Sequence, residues 1–176
     1  MTMPGSDMIS VDEARERILA FFERLGPETL PVLDAVGQVL AEDVVAPFDI
    51  PPLDNTAMDG YAVRAADTAG ATEASPRELR VVADLAAGYV LETAIGPGEA
   101  VRIMTGAPMP PGADAVVPFE ETDEPLRAIN EAPNKGETVR VFKAAKVSAN
   151  IRSRGEDIRE GQVIMEAGRV VRPSEV

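Results

Sequence analysis

Four polar side chains, Asp54, Asn55, Thr56 and Asp59, crowd into the stretch Pro51–Arg64, which reads PPLDNTAMDGYAVR. Pro51, Pro52 and Gly60 constrain the backbone around them, and the short alternating run Tyr61-Ala62-Val63-Arg64 follows at once. A connector rarely needs so many specific groups at the mouth of a strand, where binding and catalysis tend to sit. Asp59 could present its carboxylate to a cation or to a ligand hydroxyl. Composition alone slightly favours a blander reading, because Asp and Asn cap their own backbone and Asp-Gly is a common turn pair.

Two further segments could do chemistry. Arg102–Asp114, RIMTGAPMPPGAD, carries Thr105-Gly106 at a strand end, where a hydroxyl and consecutive backbone amides could be aimed at an oxyanion. It lacks the Gly-Lys-Ser/Thr ending of a P-loop, and by itself it equally suits a Pro/Gly loop between two strands. Ile151–Ile158, IRSRGEDI, alternates Arg152 and Arg154 before the acid pair Glu156-Asp157. That pattern can hold an oxyanion beside a divalent cation. An isolated RxRxED is still better explained as a salt-bridged surface strand entering a glycine turn. The acids at Glu120-Glu121 and Asp123-Glu124 read as solvated faces.

The chain as a whole narrows the chemistry further. It has no Cys and no His among its 176 residues. Thiol, imidazole and ordinary zinc chemistry are thereby excluded, and so are disulfides. Carboxylates, hydroxyls, Arg, Lys, backbone amides or a hard cation held by oxygen remain. Thirty acids against 17 bases give a net charge of −13. That argues against a nucleic-acid binder, which needs a basic footprint, and favours a soluble, cytoplasmic protein. An anionic substrate would then need local donors working against the global field. There is no 18-residue apolar run to suggest a membrane span. The start, MTMPGSDMIS, lacks the basic and apolar regions of a secretory signal and reads as a frayed terminus.

The elements that must position these groups follow from spacing. Apolar residues are 45% of the chain and aromatics only 4%, so Val, Leu, Ile, Ala and Met must build the core. Ser10-Val11-Asp12-Glu13 is a capping box. Apolar positions at Val11, Ala14, Ile18, Phe21, Phe22 and Leu25 then predict an amphipathic helix from Val11 to Leu25, ended by Gly26-Pro27. Thr29 to Leu33 reads as a short strand, Asp34 to Gly37 as a helical turn, and Val39 to Ala46 as a further strand. Val-rich runs recur at Tyr61–Arg64, Leu79–Asp84, Ala100–Met104, Ala115–Phe119 and Thr138–Lys143, with Pro and Gly between them, as in an all-β module. Asp67 to Glu78 reads as loop with a helical turn, and Thr122 to Glu137 as an exposed loop or hairpin. Gln162–Glu166 and Arg169–Arg172 read as a hairpin around Ala167-Gly168. Pro173-Ser174-Glu175 looks like the opening of a helix, which suggests a piece of a longer protein.

PPLDNTAMDGYAVR, RIMTGAPMPPGADAVV and IRSRGEDI, in this order, closely resemble the molybdopterin molybdenumtransferase family, which includes MoeA and the E domain of gephyrin. The match covers nearly the whole chain, with the leading capped helix and the DAVGQVLAEDV segment. The resemblance implies an α+β, mainly β fold. Residues 1–46 with 150–176 would form a discontinuous α+β linker domain used in dimerisation, and 47–149 an inserted all-β, barrel-like domain. A further domain holding the pterin would follow, so the chain alone is expected to be inactive. The implied reaction inserts molybdenum from molybdate into adenylylated molybdopterin, releases AMP and depends on Mg2+. By resemblance Asp59, Thr105 and Asp157 fall on catalytic positions, and Asp59 and Asp157 would hold the cation or the adenylate phosphate. Thr105 with the Gly106 amide would orient an oxyanion. Arg152, Arg154 and Asn55 would contact substrate. The implied partners are a second copy of the chain, completing the cleft across the dimer, and the molybdopterin adenylyltransferase, without nucleic acid or membrane. Two other readings stand beside the enzyme: a peptide-binding scaffold of the gephyrin type, and a β-rich dimerisation module without a site.

Overall fold

The computed structural model describes residues 8–23, 25–126 and 135–176. It is mainly β with few helices. Two compact units emerge, one made of the chain up to Asp43 together with Met165–Val176, the other of Val44–Ile164.

In the first unit, helix α1 spans Val11–Leu19. The Glu13 amide donates to the Ser10 hydroxyl at 3.1 Å, as expected of a cap. The Glu13 carboxylate takes Arg17 at 2.6 Å instead of reaching back, so only half of the capping box forms. The helix also stops at Leu19 rather than Leu25. The Phe21 and Phe22 amides donate to Ile18 and Leu19 carbonyls, three residues back, and tighten the chain out of the α-helix. None of the helical residues is buried, and a short helix without a packed face has little to extend it.

The expected strand at Thr29–Leu33 is absent. A 3-10 turn at Val32–Ala35 takes its place, seeded by the Asp34 amide bonding the Pro31 carbonyl at 2.9 Å. The strand expected over Val39–Ala46 shrinks to a bridge at Val39 and to β1 (Val44–Val45). The hairpin expected near the end is also replaced. Gly37 and Leu40 donate to the carbonyls of Val171 and Arg169, and Val171 donates to Gln38. Alternation marked Arg169–Arg172 as extended but could not name its partner. Pro173–Glu175 forms a 3-10 turn, the Glu175 carboxylate accepting the Arg172 amide at 2.6 Å.

In the second unit the further strands are β2 (Asn55–Thr56), β3 (Gly60–Val63), β4 (Arg77–Leu85), β5 (Glu99–Ile103), β6 (Ala115–Pro118), β7 (Thr138–Val141), β8 (Ile151–Arg152) and β9 (Val163–Met165). The five Val-rich runs become the sheet β6-β3-β5-β4-β7, antiparallel except for β4 with β5. The chain leaving β6 turns back to the far edge: the Asp123 amide donates to Arg140 and the Phe142 amide to Glu121. Within the loop expected at Thr122–Glu137, the described residues form a 3-10 turn at Glu124–Leu126; residues 127–134 lie outside the described part.

Period 2 splits the core into two faces. Tyr61, Val63, Leu79, Val81, Ala100 and Val117 pack on one. Ala62, Leu85, Val101, Ile103 and Val116 pack on the other. Each fully buried Val or Ile of this kind contributes about 1.5–3 kcal/mol. The register of β4 against β5 slips between Val81 and Ala83. The extra residue exchanges the faces of β4, so Leu85 joins the second cluster and Asp84 comes opposite Arg102. Gly60 is fixed by the sheet itself, because a Cβ there would lie 2.1 Å from the Val117 carbonyl oxygen. Among the described residues no helix is long and apolar enough to cross a membrane.

Candidate active site

The three motif segments meet through backbone bonds within the second unit. β2 is the middle ply. On one side Asn55 and Thr56 pair with Arg152 and Ile151 of β8, and the Ala57 amide donates to the Asn150 carbonyl at 2.9 Å. On the other side the Thr56 amide donates to Ala107, the Gly106 amide to Thr56 and the Met109 amide to Asp54. Thr56 is buried, and its hydroxyl closes the turn by donating to the Met58 carbonyl at 2.6 Å.

At one end of this ply lies an exposed pair. Asp59 Oδ1 accepts both the Thr105 amide and the Thr105 hydroxyl, each at 2.7 Å. The Thr105 amide first and its hydroxyl second hold the Asp59 carboxyl below the usual carboxylate range, with a smaller contribution from the charge of Arg102. The amides expected to form an oxyanion nest are spent inside the protein, Thr105 on Asp59 and Gly106 on the Thr56 carbonyl. Gly106 therefore serves the turn, with φ at 83°, a conformation that side chains disfavour.

At the other end lies the arginine loop. Arg152 donates to Asp157 at 2.5 Å, and this hydrogen bond and charge raise the Arg152 pKa. Arg154 donates through Nε to Asp49 and through its amide to Asp54. The Glu160 amide, then Arg154, hold Asp49 below its ordinary pKa. Gly155 takes φ 66°, and a Cβ there would lie 3.1 Å from Asp49 Oδ1. Arg152 thus sits in an exposed pair within the motif, as the salt-bridge reading of RxRxED expects, whereas Arg154 reaches outside it to Asp49, whose side chain is only 16% exposed. Asn55 lies between the two ends. Its Oδ1 is buried without a hydrogen-bond partner, an arrangement that native proteins rarely leave unexplained.

The geometry joins Asp59 directly to Thr105, Arg152 to Asp157 and Asn55 to Arg152 by strand pairing, while Gly106 and Arg154 attach through the backbone of Thr56 and the side chain of Asp54. Asp59 and Asp157 make different partnerships, and among the described residues no group of three or more acids could hold a metal ion. The residues missed by sequence reading are Asp49, which holds Arg154, and Arg102 and Glu124. Arg102 stood inside a quoted motif. The signal was its period-2 relation to Ala100, which places a charge on a core-facing row.

A family model described as the MoeA N-terminal region (domain I and II) matches residues 9–176. A protein named molybdopterin molybdenumtransferase 2 from Mycobacterium tuberculosis (strain CDC 1551 / Oshkosh) is 41% identical over 167 residues, covering 95% of this chain and 39% of that protein. A molybdopterin molybdenumtransferase from Staphylococcus aureus (strain Mu50) is 35% identical over 176 residues, covering 100% and 40%. The crystal structure of a molybdopterin biosynthesis MoeA protein from Pyrococcus horikoshii OT3 superposes with a TM-score of 0.77 at 36% identity, covering 93% of this chain and 41% of that one. The chain thus spans about two fifths of the length of these relatives.

Proposed function

Because the chain belongs to the family of the MoeA N-terminal region, we propose that it forms part of a molybdenum cofactor biosynthesis enzyme. That enzyme transfers molybdenum from molybdate into adenylylated molybdopterin and releases AMP. The carrying observation is the β2 ply, which brings the Asp59–Thr105 pair and the Arg152–Arg154 loop to either side of one two-residue strand. The transferase names of the relatives favour this reading over the peptide scaffold.

The chemistry follows from charge. A molybdate or phosphate dianion enters an acidic chain only where guanidinium groups gather, and Arg152 and Arg154 are the candidates. Exposed ion pairs hold weakly, so a dianion that accepts a guanidinium fork can displace Asp157 from Arg152. The Thr105 hydroxyl donates its hydrogen bond to Asp59, which leaves its oxygen free to act as an acceptor. Asn55 Oδ1 suits an N–H of a ring or amide on the substrate. Mg2+ is not assigned to residues of this chain. In the same reading residues 1–46 with 150–176 form a linker that dimerises, 47–149 form an inserted barrel, and the chain on its own is inactive in the cytoplasm. The adenylyltransferase that makes the adenylylated pterin is its supplier.

The test joins this chain to the remaining residues of the M. tuberculosis relative. The chimera is given adenylylated molybdopterin, Mg2+ and molybdate. Molybdate-dependent AMP release is expected from the chimera and not from the chain alone. A folded chimera that binds the pterin and releases no AMP overturns the reading.

A further inference from the structure

We infer that Arg102 is a positioning residue: its guanidinium, gripped by Glu124, fixes the strand ends that carry Asp59 and Thr105. This rests on the reading of that pair as part of the substrate site, and it adds a residue that the reading leaves out.

Arg102 stands opposite Tyr61 of β3 and Asp84 of β4. Asp59 lies two residues before Tyr61, and Thr105 three residues after Arg102. The Tyr61–Arg102 rung is therefore the second from the pair, with only the Gly60–Ile103 rung between. The Arg102 side chain is only 16% exposed. Nε donates to both Glu124 oxygens at 3.0 and 3.2 Å, and Nη2 donates to Oε1 at 2.6 Å. Nη1 reaches Asp84 at 3.3 Å. The guanidinium lies 4.6 Å from the Phe119 ring centroid. Tyr61 donates its hydroxyl to Glu124 and meets Phe119 edge-on at 5.5 Å.

A rung whose task was burial alone would be filled more stably by apolar side chains. What the arginine adds is direction. A planar fork held by a carboxylate, an aromatic face and a cross-strand acid has one orientation, which a lysine cannot reproduce. The charge of Arg102 is felt weakly at Asp59, and the ionisable groups around that cation are Glu124, Asp84 and Tyr61. Burial works against the charge on Arg102, but Glu124 and Asp84 outweigh it and raise its pKa. Arg102 therefore remains a cation under the turn at every accessible pH.

The test compares R102Q, R102K and E124Q in this chain by amide hydrogen exchange at Thr105, with Val101 as the reference inside β5. Exchange at Thr105 should quicken about tenfold in all three while Val101 is unchanged. The Asp59 carboxyl, followed by carbon NMR, should titrate higher in R102Q than in the parent. In the chimera, R102K should lower kcat about tenfold and leave KM as it was. E124Q keeps the test open if R102Q does not fold. An unchanged Thr105 amide in a folded variant overturns the inference, as does equal loosening of Thr105 and Val101, which marks Arg102 as ordinary sheet structure. T105A separates the two layers. If T105A abolishes AMP release while R102K is fully active, this inference alone falls. If T105A is fully active, the substrate-site reading of the pair falls first.

Discussion

At the residue scale the account turns on Asp59. Its two bonds from Thr105 exist only for the charged carboxylate in their full strength, and they depress its pKa. A depressed folded pKa stabilises the fold above the unfolded value, about 3.9 for Asp, and that stabilisation is lost as pH falls through the lower folded value. Asp59→Asn should therefore cost about 1 kcal/mol at pH 7, once solvent screening of an exposed pair is allowed for. The gap between the two proteins should close as pH falls through the depressed folded value. Urea denaturation at neutral and at acid pH checks this, and a gap that widens in acid contradicts it. The motif made Asp59 and Thr105 legible as candidates, but not that they are partners, because that contact joins two strand ends far apart in sequence. The spending of the Gly106 amide on Thr56 was equally hidden, since it depends on which chain lies alongside.

At the scale of the element, the central sheet was readable because period 2 and the Pro/Gly punctuation both survive in the five Val-rich runs. The first unit was less so. Its apolar residues promised a helix to Leu25 and a strand near Leu30, and neither stands, because these segments lack the buried partners that lengthen elements. Within the sheet the tightest constraint is Gly60. Gly60→Ala must displace the Val117 carbonyl, so it should destabilise by about 3 kcal/mol or more, or prevent folding. A denaturation midpoint within error of the parent would show that β3 and β6 are free to separate. Thr68 offers a milder test. It is buried, donates to the Ala65 carbonyl at 2.8 Å and accepts the Ala145 amide at 2.9 Å. Thr68→Val leaves both groups unpaired and should cost about 1–3 kcal/mol by the same measurement.

At the scale of the molecule the first unit is thinly packed. Val11, Ile18, Phe21, Phe22, Leu25 and Leu33 are all exposed, more apolar surface than a lone monomer usually shows. The dimer proposed above would cover it. The chain should sediment as a concentration-dependent dimer, and Phe22→Asp should shift it to monomer without loss of the β-sheet circular dichroism signal. A parent that is monomeric at high concentration contradicts this. The charge of −13 sets the remaining problem of the whole molecule, namely how an acidic surface admits a dianion.

The direct test of that problem is AMP release by the chimera on addition of molybdate, compared among the parent, Asp59→Asn, Thr105→Ala and the double change Arg152→Gln with Arg154→Gln. The parent should turn over, and each variant should be slower by about a hundredfold or more while still folding. Equal rates in parent and variants would contradict the account, because the three motif segments would then merely shape the backbone.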